Sequence, residues 1–180
     1  MNGIQFPSAP FKLEELLDFI TEFSRFVLER NNTISTQYFL GNQEEGIINP
    51  VIMNMPDELN IDQQKEFSIN GIKHILKKEL QIDIVLCISD AYYITSEKSI
   101  DFDKLYDQYG SIKDTPGRKE CILIILETRN GRKISKMIPY NRLKNNFIEY
   151  EEANIIDNKN NREMIDGRMA DFFEHSATIQ

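Results

Sequence analysis

The sequence predicts an α+β fold in which helices pack on a mainly antiparallel sheet. Residues 12–30 carry apolar side chains at helical spacing, and two strand-like runs near residues 121–126 and 133–138 flank an Asn-Gly turn. No stretch repeats itself at a fixed period, which excludes a solenoid or a propeller. One domain over residues 1–180 accounts for these features.

The N-terminal helix follows from its apolar stripe and its polar remainder. The stripe consists of Leu13, Leu16, Leu17, Ile20, Phe23, Val27 and Leu28. Phe19 and Phe26 widen this face, so we expect other elements to cover the helix on two sides. Asn31 and Asn32 should end it, and residues 38–40 and 47–48 are expected to be short extended pieces around a turn.

A second helix is predicted from about Asp62 to Leu80, because Phe67, Ile72, Ile75 and Leu76 recur at helical spacing. Gly71 within it indicates either close packing or a break. The segment between Pro50 and Pro56 is expected to be an edge strand or a loop.

A three- to four-stranded meander is predicted around residues 83–152. Residues 84–95 form one long strand, with a possible bulge at Ser89-Asp90, and 118–127 form a central strand buried on both faces. Asn130-Gly131 predicts a type I′ hairpin turn, after which residues 133–138 return antiparallel and Pro139 stops the strand. Residues 146–152 supply the fourth strand.

Two segments are expected to lie outside the regular core. Residues 96–119 form a long polar connection, and connections of this length are usually functional or disordered. Residues 158–180 are expected to be loosely attached, with a short helix at 162–173.

Composition narrows the class of partner. The formal net charge is −8 and the pI is near 4.9, so phosphate backbones are repelled and nucleic acid is an unlikely partner. The longest apolar run, Cys121–Leu126, is too short to cross a membrane, and residues 1–12 lack the pattern of a secretory signal. We therefore expect a cytoplasmic protein without membrane contact, in which Cys87 and Cys121 are buried free thiols.

Familiar catalytic patterns are missing from the sequence. It contains no Gly-x-x-x-x-Gly-Lys-Ser/Thr, Gly-x-Gly-x-x-Gly, His-Glu-x-x-His or Gly-x-Ser-x-Gly motif. Two cysteines and two histidines, His74 and His175, lack metal-ligand spacing. No cofactor or metal is expected, and an enzyme is less expected than a binding protein.

One enzymatic alternative rests on Glu127-Thr128-Arg129 at the end of the central strand. The upstream acids Asp103, Asp107 and Asp114 offer a second carboxylate. This layout resembles the acidic core of metal-dependent nucleases of the restriction-endonuclease superfamily. The resemblance implies a metal site at Glu127 and Asp114, although arginine stands at the position where that superfamily has lysine.

The most distinctive segment is Asp114-Thr115-Pro116-Gly117-Arg118-Lys119-Glu120, which leads into the apolar strand. It resembles bacterial and phage α+β proteins without an assigned activity, in which a polar loop, a proline and Arg-x-Glu precede a central strand. The resemblance covers residues 62–150. Because Arg118 and Glu120 share one sheet face, we expect them to pair with each other or across strands.

The preferred hypothesis is an acidic cytosolic protein that docks on another protein, such as an inhibitor or an accessory factor. Its candidate binding residues are Tyr106, Tyr109, Asp114, Arg118 and Glu120. The alternatives are the metal-dependent hydrolase and a small-ligand sensor with its pocket under residues 96–119. The sequence leaves the oligomeric state open.

Overall fold

The computed structural model describes residues 7–56, 58–95, 100–144, 147–159 and 172–173. In chain order the elements are α1 Leu13–Asn31, β1 Gln37–Asn42, β2 Ile47–Pro50, α2 Ile61–Lys78, β3 Ile84–Tyr93, α3 Phe102–Tyr109, a 3₁₀ turn Ile112–Asp114, β4 Lys119–Thr128, β5 Lys133–Arg142, β6 Ile148–Tyr150 and β7 Asn154–Asp157. The α+β class is confirmed. The sheet is larger than predicted, with seven strands in the described residues instead of three or four.

The strands follow the order β2-β1-β3-β4-β5-β6, and β7 also pairs with β5. Every pairing is antiparallel. The β1–β2 hairpin joins the predicted meander because Tyr38 and Leu40 bury their side chains on the sheet face that α2 covers. The other outer edge is shared, since β6 pairs with the end of β5 and β7 with its beginning.

The sheet lies between two helices. On one face, the apolar stripe of α1 packs on even-numbered strand residues, including Leu86, Ile124 and Ile138. On the opposite face, Ile72 and Leu76 of α2 pack on odd-numbered ones such as Val85 and Ile125. The central strands β3 and β4 are therefore covered on both sides, as the unbroken apolar run of β4 predicted for that strand.

Both long helices begin and end close to their predicted bounds. Asn32 ends α1 in the left-handed conformation, with φ 60°, and its N–H donates to the Leu28 carbonyl. Asn60 caps α2 by accepting from the Gln63 N–H. Gly71 does not break α2, and a Cβ there would lie 3.5 Å from the Met53 sulfur, which is ordinary contact.

Pro139 does not stop β5, contrary to the prediction. The strand continues to Arg142, and Pro139 lies opposite Cys121 of β4. The Pro139 carbonyl accepts from the Glu151 N–H at 2.9 Å, which places the backbone polar side of Pro139 toward the outer edge. The missing N–H therefore falls at the break between β6 and β7 and leaves the ladder with β4 intact.

The β4–β5 hairpin is confirmed, but its turn differs from type I′. Only Gly131 in this turn has a positive φ, at 89°, whereas type I′ would require one at Asn130 as well. The Gly131 N–H donates to Thr128 and the Thr128 N–H donates to Arg132. This pattern is the three-residue loop with a glycine bulge, and the Asn130 carboxamide further fixes it by accepting from Thr128 Oγ1.

Two smaller expectations also differ from the structure, and a third falls mostly on residues that it does not describe. β3 pairs with β4 in unbroken register, so there is no bulge at Ser89-Asp90. The polar connection after β3 contains α3 and the 3₁₀ turn. The helix predicted at 162–173 lies outside the described residues, apart from Phe172 and Phe173, which are both buried.

Cys87 and Cys121 are free and buried, as predicted. Across the ranges that the structure describes, no helix is long and apolar enough to span a membrane.

Candidate functional site

The helix α3 presents its apolar side chains outward. Phe102, Tyr106 and Tyr109 stand at positions i, i+4 and i+7 and so share one face. No residue of α3 is buried, and Phe102 and Tyr106 are each 48% exposed. The main packing partner of α3 is the adjacent 3₁₀ turn. An amphipathic helix therefore stands on the surface, with Phe102 and Tyr106 of its aromatic stripe exposed and Tyr109 half-buried.

Acidic side chains surround this stripe. Asp101 caps α3 by accepting from the Lys104 N–H at 3.2 Å, and its other oxygen lies 3.1 Å from Lys104 Nζ. Asp103 and Asp107 add two further exposed carboxylates against the one lysine. Anions in the first turn stabilise the helix, and here they also leave the α3 surface negative.

The segment between α3 and β4 is held by short hydrogen bonds. Ser111 donates to the Asp114 carboxylate at 2.6 Å, and Thr115, which is buried, donates to the Ser111 carbonyl at 3.0 Å. The 3₁₀ turn packs against β3. These contacts place α3 beside the end of β3 and the start of β4.

Arg118 and Glu120 do not pair with each other. The Arg118 guanidinium lies over the Tyr92 ring at 5.7 Å, and Glu120 accepts from Arg142 Nε at 2.8 Å. The cross-strand alternative in the prediction is therefore the one that the structure supports for Glu120. Arg142 also donates to the carbonyl and the side chain of Asn32, which connects β5 to the end of α1.

A second acid lies beside Arg142 on the same sheet face. Asp90 of β3 accepts from the Tyr140 hydroxyl at 2.5 Å, and its other oxygen lies 3.8 Å from Arg142 Nη2. Burial and this hydrogen bond raise the pKa of Tyr140. The two acids, the tyrosine and the arginine satisfy one another, which is the arrangement of a structural network that closes this end of the sheet.

Glu127 is fully buried on the opposite sheet face. Its surroundings differ from the metal site that the sequence predicted for it. Its two carboxylate oxygens accept the backbone N–H groups of Phe172 and Phe173, each at 3.0 Å. β4 rises about 3.3 Å per residue, so Glu127 lies roughly 25 Å from the start of the strand, next to which Asp114 is found. The structure does not bring these two carboxylates together.

Phe172 and Phe173, which we call the tail pair, complete the core on the α2 face. The Phe172 ring meets Tyr38 edge-on at 6.1 Å, and Arg129 lies over the Phe173 ring at 4.8 Å. Arg129 also donates to the carbonyls of Leu76 and Glu79 at the end of α2, and to Ile82. We call the site formed by Tyr38, Leu76, Glu127 and Arg129 the tail pocket.

Among the described residues, the tail pocket contains one buried polar atom without a hydrogen-bond partner. The Tyr38 hydroxyl is buried and makes no hydrogen bond to any residue that the structure describes. Burial raises the pKa of Tyr38, so this hydroxyl stays protonated. Beside the tail pair is a small cleft of about 190 Å³ whose rim includes Lys73 and Lys77.

Two basic residues, Arg132 just before β5 and Lys136 within it, pair with acidic residues of α1. Arg132 donates to Glu14 at 2.7 Å and to Asp157 at 2.8 Å, and Lys136 lies 3.8 Å from Asp18. The hydrogen bonds from Arg132 lower the pKa values of Glu14 and Asp157. These pairs, with Asn32–Arg142, form a charged seam along which α1 and β5 run parallel.

A polar cleft of about 610 Å³ opens at the beginning of α1. Lys12, Asn130, Arg132 and Lys159 contribute to its wall. It lies at the far end of the sheet from α3, and therefore not under residues 96–119, where the ligand-sensor alternative placed its pocket. In the described ranges, no group of three or more His, Cys, Asp or Glu side chains is arranged to hold a metal ion.

The predicted binding residues thus fall into two groups. Tyr106 and Tyr109 lie on α3 and Asp114 in the adjacent 3₁₀ turn, whereas Arg118 and Glu120 contact Tyr92 and Arg142 on the neighbouring strands. Sequence reasoning missed Phe102, although its spacing from Tyr106 and Tyr109 is helical. It also missed the tail pocket, for which no local signal exists because its parts are far apart in the chain.

Comparison with known proteins gives no relative, since no protein-family model, curated protein sequence or solved structure matches this chain.

Proposed function

We propose that the protein acts by binding another protein, and that α3 is its docking element. The observation that supports this proposal is the aromatic stripe of α3, in which Phe102 and Tyr106 are exposed and Tyr109 is half-buried, on a helix with no buried residue. Aromatic side chains with an apolar body and a polar tip are enriched at protein interfaces. A helix in this state fits the groove mode of recognition, in which anchors at i, i+4 and i+7 insert into an apolar cleft.

The charge around the stripe indicates the chemistry of the partner. Asp101, Asp103 and Asp107 outweigh Lys104 on this helix, and the whole chain carries a net charge of −8. A partner groove with a basic rim would be steered toward α3 and held in register by these carboxylates. An inhibitor or accessory role follows where that basic groove is the functional surface of the partner.

The test is capture of a stoichiometric partner from a lysate of the source organism, followed by affinity measurement with the purified pair. We expect the double variant Phe102→Ala/Tyr106→Ala to weaken binding at least 30-fold, because two central aromatic anchors are lost. Asp103→Lys/Asp107→Lys should slow association, and raising the salt concentration should slow association of the wild type.

The matched control is Phe26→Ala/Phe67→Ala, which removes two aromatic side chains of similar exposure from α1 and α2. It should bind like the wild type. A partner that binds the α3 variant as tightly as the wild type, with unchanged melting temperatures, would show that α3 is not the docking element. Equal losses in both variants would contradict the same assignment.

A further inference from the structure

The tail pocket binds a chain segment mainly through its backbone and its rings. Glu127 takes two consecutive N–H groups, and apolar and cationic groups receive the two aromatic side chains. Because the hydrogen bonds go to main-chain donors, any two consecutive residues other than proline can supply them. The contacts to the two rings are what make the pocket selective. They require a pair of adjacent aromatic residues in the bound segment.

The fit of the tail pair is incomplete. The Tyr38 hydroxyl is buried beside Phe172 with no hydrogen-bond partner among the described residues. A buried hydroxyl that loses water without gaining a partner opposes docking by its full desolvation cost. A segment that placed an acceptor near Tyr38 would therefore bind this pocket better than Phe172 and Phe173 do.

Charge extends the recognition pattern beyond the two rings. Lys73, Lys77 and Arg129 line the cleft next to the tail pair. In the sequence the pair reads Asp171-Phe172-Phe173-Glu174, with an acid on either side. Acidic residues beside an aromatic pair are complementary in charge to this basic rim, so an acidic diaromatic segment suits the pocket electrostatically.

The short chain connection between β7 and the tail pair favours occupancy of the tail pocket by the same chain. Asn158 accepts from the Lys133 N–H at 2.8 Å, and Lys133 lies directly opposite Glu127 in the sheet. The twelve residues 160–171 can therefore reach the pocket easily. A short tether of this kind gives an effective concentration on the order of millimolar, against which any other ligand must compete.

We propose that the tail pocket is a peptide-recognition site that Phe172 and Phe173 occupy in cis, and that its competing ligand is an acidic diaromatic segment of another protein. This surface is separate from α3 and does not depend on the function proposed above. A partner that presents such a segment would displace the tail pair and gain the pocket. In the absence of such a partner, Phe172 and Phe173 of the same chain occupy the pocket.

The test uses the full chain and a labelled peptide with the sequence of residues 168–177. The variant Phe172→Ala/Phe173→Ala vacates the pocket without shortening the chain. We expect the peptide to bind this variant at least tenfold more tightly than it binds the wild type, in which the cis pair competes. A control peptide with Ala-Ala in place of Phe-Phe should not bind either protein.

Two substitutions in the vacated background test the mechanism. Glu127→Gln should weaken peptide binding about tenfold, since hydrogen bonds to a charged acceptor are stronger than those to a neutral one. Tyr38→Phe should strengthen it about fivefold, because docking no longer buries an unpaired hydroxyl. Both effects are read as changes in Kd from fluorescence anisotropy.

A second measurement on the wild type keeps the proposal testable if the vacated variant fails to fold. Excess peptide should lower the hydrogen-exchange protection of the Phe172 and Phe173 amides, while Ala-Ala peptide leaves it unchanged. Equal peptide affinity for both proteins, or unchanged protection at saturating peptide, would overturn the proposal. Concentration-dependent dimerisation that the tail substitutions abolish would instead assign the competing segment to a second copy.

Discussion

The two faces of the sheet are covered in different ways. On one face, the 19-residue helix α1 supplies an apolar stripe and a row of charges that pair with β5 along its length. On the other, α2 covers only part of the surface, and two aromatic residues from far along the chain complete the core. The first face is built from local periodicity and the second from a long-range contact, so the second can exchange its ligand without dismantling the sheet.

The largest effect on stability is expected when one buried side chain is replaced on each face. Leu86→Ala should lower the free energy of unfolding by about 3 to 4 kcal/mol, because it loses burial and leaves a cavity beneath α1. Phe172→Ala should lower it by about 2 kcal/mol, the transfer contribution alone, since water can enter the vacated pocket. Urea unfolding measures both.

Phe147→Ala, at a residue 70% exposed, is the control for these substitutions and should change stability by less than about 0.5 kcal/mol. A loss at Phe172 equal to that at Leu86 would mean that the tail pair belongs to the same cooperative core. The two faces would then not differ in the way proposed.

Much of the first face was predictable from the sequence because its signals are local. The stripe of α1 repeats within 16 residues, and the six apolar residues of β4 mark a central strand without reference to any partner. The register of the sheet is not local in this sense. It brings Glu120 to Arg142 and Asp90 to Tyr140 across 22 and 50 residues, and no single-sequence pattern encodes these pairings.

The face that α2 covers shows more clearly what could not be predicted from the sequence. Glu127 was interpreted as a strand-end acid, since nothing near it in the sequence indicates that the amides of residues 45 and 46 positions later would bind it. α3 was within reach, because Asp101 is a cap and the aromatic spacing is helical, but eight residues in a polar stretch give a weak signal. β7 was missed because Asn154-Ile155-Ile156-Asp157 does not alternate.

The next test measures how the free energy of unfolding depends on pH, because the charged seam between α1 and β5 should contribute to it. Arg132 lowers the pKa values of Glu14 and Asp157, so the folded protein holds these protons less tightly than the unfolded chain does. The stabilisation is present above the unfolded values near pH 4 and is lost as the pH falls through the folded ones. Arg132→Met should cost about 1 to 2 kcal/mol at pH 7 and flatten the acid limb of the stability profile.

The control is Arg30→Met, which removes an exposed arginine from the last turn of the same helix. It should leave the shape of the acid limb unchanged. An acid limb in Arg132→Met as steep as in the wild type would show that the seam does not couple α1 to β5.

The smallest effect is expected at Lys136, whose ammonium lies under α1 among Asp18, Glu22 and Arg25. Burial lowers the pKa of Lys136, so its charged form is disfavoured in the folded protein. This penalty applies below the folded pKa and disappears as the pH rises toward the unfolded value of about 10.4. Lys136→Met should therefore stabilise the protein by up to about 1 kcal/mol at pH 7, and by less at pH 10.

Lys119→Met, at an exposed strand position, serves as the reference and should be close to neutral. A loss of more than about 1 kcal/mol in Lys136→Met would show that its contact with Asp18 outweighs desolvation. The seam would then stabilise the α1 face at every charged position instead of at Arg132 alone.

The placement of the two thiols determines when they can react. Cys87 lies opposite Ile125, and Cys121 is four residues nearer the start of β4, about 13 Å away and beyond the reach of a disulfide. Burial raises the pKa of both thiols, that of Cys121 to about 12, and the reactive thiolate is scarce near pH 7. Alkylation therefore requires that β3 and β4 first expose these side chains. The labelling rate of each cysteine then measures how often the central hairpin opens.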